Sequence, residues 1–152
     1  MIQQVFANLI ENAKEAVDGL KSPVVKVSAN RLRVRSGEIH ADLAPGSYVA
    51  ITVEDNGQGM TEEEVQRCFE PFYSTKNVDP RTGLSFSGAG LGLSAAYLIV
   101  RQHEGAIIAR SQKGQGSSFT IYLPVVTLKS NDSGKSAMGS VPSTAQKQVS
   151  HG

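Results

Sequence analysis

Four groups of residues in this sequence have the types and spacing to hold a phosphorylated ligand. The stretch SGAGLGLSAAYLIVRQHEG (87–105) sets Gly88, Gly90 and Gly92 at alternate positions directly ahead of an apolar, helix-like run. Glycine admits positive φ and close backbone approach. A helix start adds unpaired N–H groups and partial positive charge, a combination that can cradle phosphate. A flexible loop ending where a helix begins has the same composition, so this stretch alone leaves both readings open. Asn8 and Asn12 are one helical turn apart, on one face and away from the stripe of Val5, Leu9, Ala13 and Ala16. Carboxamide oxygens are hard donors of the kind Mg²⁺ takes beside phosphates. In DNGQGM (55–60), Asp55 ends a strand, and Gly57 and Gly59 permit a tight turn. A carboxylate there can accept a hydrogen bond from an exocyclic amine such as that of adenine, although Asp-Asn-Gly is also ordinary turn chemistry. FEPFYSTK (69–76) joins Phe69, Phe72 and Tyr73 to Lys76. That places a cation a short way ahead of the glycine-rich loop, among aromatics equally suited to plugging a core.

The elements needed to position these groups are legible from periodicity. Residues 2–17 have helical spacing, closed by Gly19. VVKVSANRLRV (24–34) and YVAITVED (48–55) alternate as two antiparallel strands joined by the turn-rich 35–47. Thr61 and Glu64 have the form of a capping box for a short helix ending near Cys68. Residues 69–89 are loop-like, and 91–103 form the helix after the glycines. AIIARS (106–111), the turn QKGQG and SSFTIYLPV (117–125) make a second hairpin, with Gly114 and Gly116 in its turn. From about 128 the chain is serine-rich, without aromatics or period, and reads as a disordered tail over 128–152. The expected fold is α+β: a two-layer sandwich of one mixed, mostly antiparallel sheet with helices on one face.

Composition narrows the function. The 152 residues, 39% hydrophobic and 19% charged, suit one domain with a core. A net charge of +1 gives no electrostatic case for nucleic acid or an anionic membrane. No apolar run approaches the ~20 residues that span a bilayer. A single cysteine, Cys68, allows no internal disulfide and fits a reducing cytoplasm, where it reads as a small buried hydrophobe.

Taken in order, Asn-x-x-x-Asn on a helix, Asp-x-Gly-x-Gly after a strand, Phe-Glu-Pro-Phe, Gly-x-Gly-x-Gly before a helix and Gly-x-Gly-Ser before a strand resemble the catalytic ATP-binding domain of bacterial sensor histidine kinases. This Bergerat-type fold is shared with gyrase, Hsp90-type chaperones and MutL-type repair proteins. The resemblance runs from about Ile2 to Pro124, within a domain expected over 1–127, and PGSYVAITVEDNGQGM with EPFYSTK is most similar to the nitrogen-regulation subgroup. It implies ATP and Mg²⁺ as cofactors, with Asn12 on the metal, Asn8 nearby and Lys76 as a catalytic cation. It implies Asp55 on the adenine amine, Gly57 and Gly59 shaping that pocket, and 74–89 as a lid. Gly88, Ala89, Gly90, Leu91, Gly92 and Leu93 would meet the phosphates, with Glu15, Met60, Phe72 and Ser118 completing the nucleotide set.

The implied reaction is γ-phosphoryl transfer to a histidine on a dimerisation segment, with a response regulator served indirectly and a cytoplasmic location. Two rival readings are an ATPase of chaperone or repair type and a nucleotide-gated module without transfer. The first wants a carboxylate where Asn8 stands. Glu15 occupies the position where many relatives carry Lys or Arg, which leaves Lys76 or Arg81 as the phosphate cation. The strand and the His-bearing helical hairpin that precede such domains are not in the sequence, so the reading expects an N-terminally truncated domain. His40, His103 and His151 do not suit the phosphoacceptor role.

Overall fold

The computed structural model describes residues 1–73 and 91–126. The expected lid over 74–89, including Lys76, Arg81, Gly88 and Ala89, lies outside the described residues, as do Gly90 and the expected tail over 128–152.

Helix α1 (Ile2–Ala16) forms because Val5, Leu9 and Ala13 recur at every fourth position and bury one stripe. It stops at Val17, whose N–H bonds the Ala13 carbonyl, two residues before Gly19 at φ 80°. Strands β1 (Val25–Val34) and β2 (Gly46–Asp55) pair in register from Val25 with Asp55 to Val34 with Gly46. Helix α2 (Glu62–Arg67) carries the anticipated capping box. Thr61 Oγ1 accepts from Glu64 N at 3.2 Å, and Glu64 Oε2 accepts from Thr61 N at 2.7 Å. Helix α3 (Gly92–Gln102) leads into the hairpin of β3 (Ala106–Gln112) and β4 (Gly116–Pro124).

The two hairpins merge into one sheet of order β1-β2-β4-β3. All its pairings are antiparallel, so among the described residues the mixed sheet of the expectation is purely antiparallel. The central β2–β4 ladder sets Val53 beside Phe119 and Ile51 beside Ile121. Residues directly opposite share a sheet face. On that face Val53, Phe119, Ile121 and Ile107 meet Val5, Leu9 and Ala13 of α1 and Ala96, Ile99 and Val100 of α3. Phe69 joins this core, its ring 6.2 Å from Phe119 in an edge-on arrangement and 5.8 Å from Tyr97.

A second, smaller cluster lies on the other face. Leu32, Val34, Tyr48, Ala106 and Tyr122 are covered there by Ile39 and Leu43 of the β1–β2 connection. The Tyr48 hydroxyl donates to the Ala44 carbonyl at 2.7 Å, and Asp42 pairs with Arg101 of α3 at 3.5 Å. The turn-rich 35–47 segment is thus a lid on part of the outer sheet face. That function was not legible because two apolar side chains in a polar loop carry no period.

Cys68 is 5% exposed within the main core, and burial pushes its thiol up to about 11 from 9.0. Native Cys68 should react with a soluble disulfide reagent at pH 8 roughly a hundredfold more slowly than in urea, following the thiolate fraction. The raised thiol pKa contributes stability below pH 9 that is lost as pH climbs towards 11. Equal labelling rates in native and unfolded protein would contradict this environment.

Candidate functional site

The site lies at one end of the sheet, where the C-terminus of β2, the start of β4 and the helix faces converge. Asp55 is the last residue of β2 and is only 8% exposed. Its Oδ1 accepts from Gly57 N at 2.9 Å, closing a tight turn through DNG. A buried carboxylate must be hydrogen-bonded to persist, and this bond to backbone is part of its support. Asn56 turns the other way. Its Oδ1 accepts from Val24 N at 2.8 Å and its Nδ2 donates to Ser22 O at 2.9 Å, which ties the 22–24 loop to the end of β2.

Gly57 and Gly59, expected beside the base, stand where backbone passes close to backbone. A Cβ on Gly57 would stand 2.4 Å from Ala16 O at the end of α1. A Cβ on Gly59, which has φ 68°, would stand 2.0 Å from Gln112 O of β3. Gly116, at φ 90°, would place a Cβ 1.9 Å from Asp55 O. Gly116 does more than close a hairpin turn: it lets β4 lie against the backbone of Asp55 and Asn56. Met60 half-buries against the main core, and its N–H donates to Ser111 Oγ at 2.7 Å.

Asn8 and Asn12 are both half-buried and flank the buried stripe of α1, as their spacing predicts. Asn8 Nδ2 donates to Gly92 O at 3.0 Å, so this carboxamide holds the first turn of α3 against α1. Leu91 precedes α3 without a side-chain cap, and no acidic side chain occupies the first turn. Ser94 Oγ donates back to Leu91 O at 3.1 Å. Leu93 packs on the core, whereas Leu91 is 47% exposed. Glu15 is exposed one turn beyond Asn12, near Lys14, which pairs with Glu11 instead.

Two expected members stand apart. Ser118 is opposite Glu54 on β2 and Arg110 on β3, on the face turned from the helices. The residue sharing the Asp55 row is Ser117, opposite both Asp55 and Ser111. The strict alternation of a strand was the signal that distinguishes the two serines. Phe72 is 66% exposed with φ 64°, an uncommon conformation for an aromatic residue, and does not enter the core that Phe69 occupies. Arg67 lies over the neighbouring Tyr73 ring at 4.4 Å. A separate groove bordered by Tyr48, Pro124 and Arg101 lies at the opposite end of the sheet and contains none of these residues.

The donor set fits a nucleotide and its metal. It offers a buried acceptor at Asp55, a hydroxyl at Ser117 beside it, carboxamides at Asn8 and Asn12, and an α3 start whose Gly92 carries no Cβ. Residues 1–127 match the family described as "Histidine kinase-, DNA gyrase B-, and HSP90-like ATPase". The chain belongs to this ATPase family.

Similar relatives within the family include proteins named as histidine kinases. Sporulation kinase E of Bacillus subtilis is 34% identical over 124 residues, covering 82% of this chain and 14% of that protein. The sensor histidine kinase ZraS of Klebsiella oxytoca is 36% identical over 124 residues, covering 82% and 22%. The solved catalytic domain of histidine kinase ThkA superposes with a TM-score of 0.56 at 26% identity, covering 81% of this chain and 65% of that one. The chain spans 12–23% of the length of the first curated relatives it matches. This histidine kinase-like ATPase domain has its sheet and helices arranged as in the solved catalytic domain.

The glycine contacts generate a stability test. Gly116→Ala combines positive φ with a clash against backbone, and should cost about 2–4 kcal/mol in urea unfolding. Gly114→Ala, whose Cβ would meet nothing within 4 Å, should cost less despite its φ of 81°. Equal losses would show that Gly116 is needed for its conformation alone.

Proposed function

We propose that this domain binds Mg-ATP and donates the γ-phosphoryl group to a histidine on a separate helical segment of the same kinase, in two-component signalling. The single observation that carries the reading is the buried Asp55 carboxyl, accepting from Gly57 N beside close-packed glycines, in an ATPase-family chain. Bound ATP supplies the transferable phosphoryl group, and Mg²⁺ offsets charge on its phosphates.

The chain's own residues bind and orient. Asp55 accepts a hydrogen bond from the exocyclic amine of the base. Gly57, Gly59 and Met60 form the wall beside it, and Ser117 replaces Ser118 in the base-binding set. Asn12 supplies a carboxamide oxygen to the metal. Asn8 acts through Gly92, holding α3 so that the N–H groups of Leu91, Gly92 and Leu93 face the phosphates. Gly88, Ala89 and Gly90 extend that cradle, and Lys76 or Arg81 supplies the cation that Glu15 does not. The acceptor imidazole nitrogen forms the new bond to phosphorus as the bond to the leaving ADP breaks. The domain contributes position and charge stabilisation rather than covalent chemistry. Asn8, an amide already bonded to backbone, does not provide the carboxylate that a hydrolytic enzyme would use to orient water.

Phosphoryl donation is directed to the dimerisation and phosphoacceptor segment. A response regulator is served through that segment and not by this domain directly. Among the described residues no helix is long and apolar enough to cross a membrane. We place the domain's work in the cytoplasm, where ATP and the regulator are available.

Asp55→Asn preserves shape while replacing an acceptor-only group with an amide. Adenine nucleotide affinity should fall by about 10- to 100-fold in calorimetry, in keeping with a hydrogen bond to a charged group. An affinity within twofold of the parent in the folded variant would reject the base-reading assignment.

The isolated domain should bind ATP without labelling itself from γ-labelled nucleotide, because no acceptor is held in line. A cognate His-bearing hairpin added in trans should acquire acid-labile phosphate, weakly, since no covalent linkage raises the local concentration. Asn12→Ala should abolish that transfer. Acid-labile label on the domain alone would overturn the claim and point to one of its own histidines.

A further inference from the structure

The Ser111 hydroxyl meets three polar atoms of the described residues, and no part of the nucleotide reading uses it. It lies on β3, one strand away from β4 and two from the Asp55 strand. Its Oγ is 2.7 Å from Met60 N, 2.7 Å from Gly116 O and 2.9 Å from Ser117 Oγ. Ladder registers put Ser111, Ser117 and Asp55 opposite one another in a row across three strands, on one face of the sheet.

Proton counting fixes the direction of every bond in this cluster. A backbone N–H only donates and a backbone carbonyl only accepts, while a serine has one proton and two lone pairs. Met60 N–H therefore uses one lone pair of Ser111. The Gly116 carbonyl requires the Ser111 proton, because two oxygens 2.7 Å apart without a proton between them repel. The remaining contact, to Ser117, leaves Ser111 only its second lone pair, so Ser117 must be the donor. Ser117 has then spent its single proton on Ser111, and it presents only lone pairs to its surroundings. Its opposite neighbour Asp55 is a carboxylate, also an acceptor. The row ends in two adjacent acceptors and offers no hydroxyl donor.

We infer that Ser111 is a positioning residue that locks the Ser117 proton away from the base pocket, making the pocket selective for a base with an exocyclic amine over one with a carbonyl at the same position. This deepens the nucleotide reading above and rests on it. An amine brings protons to both acceptors. A ring carbonyl meets two acceptors and gains nothing, which is how a site built for hydrogen bonding rejects the wrong partner. Without Ser111 the Ser117 hydroxyl regains its rotation and can donate to a carbonyl.

The test compares ADP with inosine diphosphate, which replaces the adenine amine with a carbonyl, by calorimetry on the whole domain. The variants are Ser111→Ala, Ser111→Thr, Ser117→Ala and the double alanine. The parent should prefer ADP. Ser111→Ala and Ser117→Ala should each cut that preference by about three- to tenfold, the scale of one net hydrogen bond. Ser111→Thr, which keeps a hydroxyl, should retain it. The double variant should lose no more than Ser117→Ala alone, because Ser111 acts only through Ser117. A merely structural role for Ser111 would weaken both nucleotides together and leave the ratio intact, which would overturn the inference. So would additive losses in the double variant. Should Ser111→Ala fail to fold, an unchanged ratio in Ser117→Ala overturns it equally. The base-pocket reading fails separately, if Asp55→Asn leaves ADP affinity unchanged. If Asp55→Asn loses ADP while the serine variants keep the ratio, only the role of Ser111 is rejected.

Discussion

Backbone packed directly on backbone is the constraint from which the site follows. Gly116 lies against Asp55 O and Asn56 Cα, Gly57 against Ala16 O, and Gly59 against Gln112 O. These contacts bring the ends of α1, β2, β3 and β4 to distances that no side chain would permit. Asp55 is buried because β4 can close over it, and it can remain buried because the chain turns back at once to give it the Gly57 N–H. The same closeness sets Ser117 opposite Asp55 and Ser111 opposite Ser117. Three positions without a side chain thus determine where the polar side chains stand.

The helix layer provides a second kind of precision. Asn8 fastens the first turn of α3 to the middle of α1, and the buried stripe of α1 fixes both to the sheet. Position at the start of α3 is therefore inherited from core packing, which is resistant to small displacement. On the outer face, Ile39 and Leu43 shield Val34 and Tyr48, while Asp42 reaches Arg101. That cover lies at the end of the sheet remote from Asp55.

Most of this architecture was legible in the sequence because each element obeyed its own period. The stripe of Val5, Leu9 and Ala13, the alternation in β2 and the Thr61–Glu64 capping box all point to one fold. Motif order then separated the site from ordinary turns, since DNG or Asn-x-x-x-Asn alone is compatible with either. What was not legible depends on contacts between distant segments. The donation from Asn8 to Gly92, the Ser111 cluster and the cover over Val34 each join residues whose spacing follows no period. The sheet face of Ser118 is different, because the alternation that decides it was available: Ser118 lies with Thr120 and Tyr122, and Ser117 with Phe119 and Ile121.

The sheet order carries a kinetic consequence. Each hairpin joins neighbouring segments, but the central ladder joins Asp55 to Ser117 across roughly sixty residues of chain. Closing so long a loop is slow relative to forming a hairpin, although the entropy cost grows only logarithmically with its length. Until that ladder forms, Asp55 is paired with β1 alone, and the Ser111–Ser117 pair of the second hairpin has no carboxylate beside it. Neither hairpin alone holds both Asp55 and the two serines, which come together only when the long-range ladder closes. A ligand bound across Asp55 and Ser117 would hold the two hairpins together by mass action.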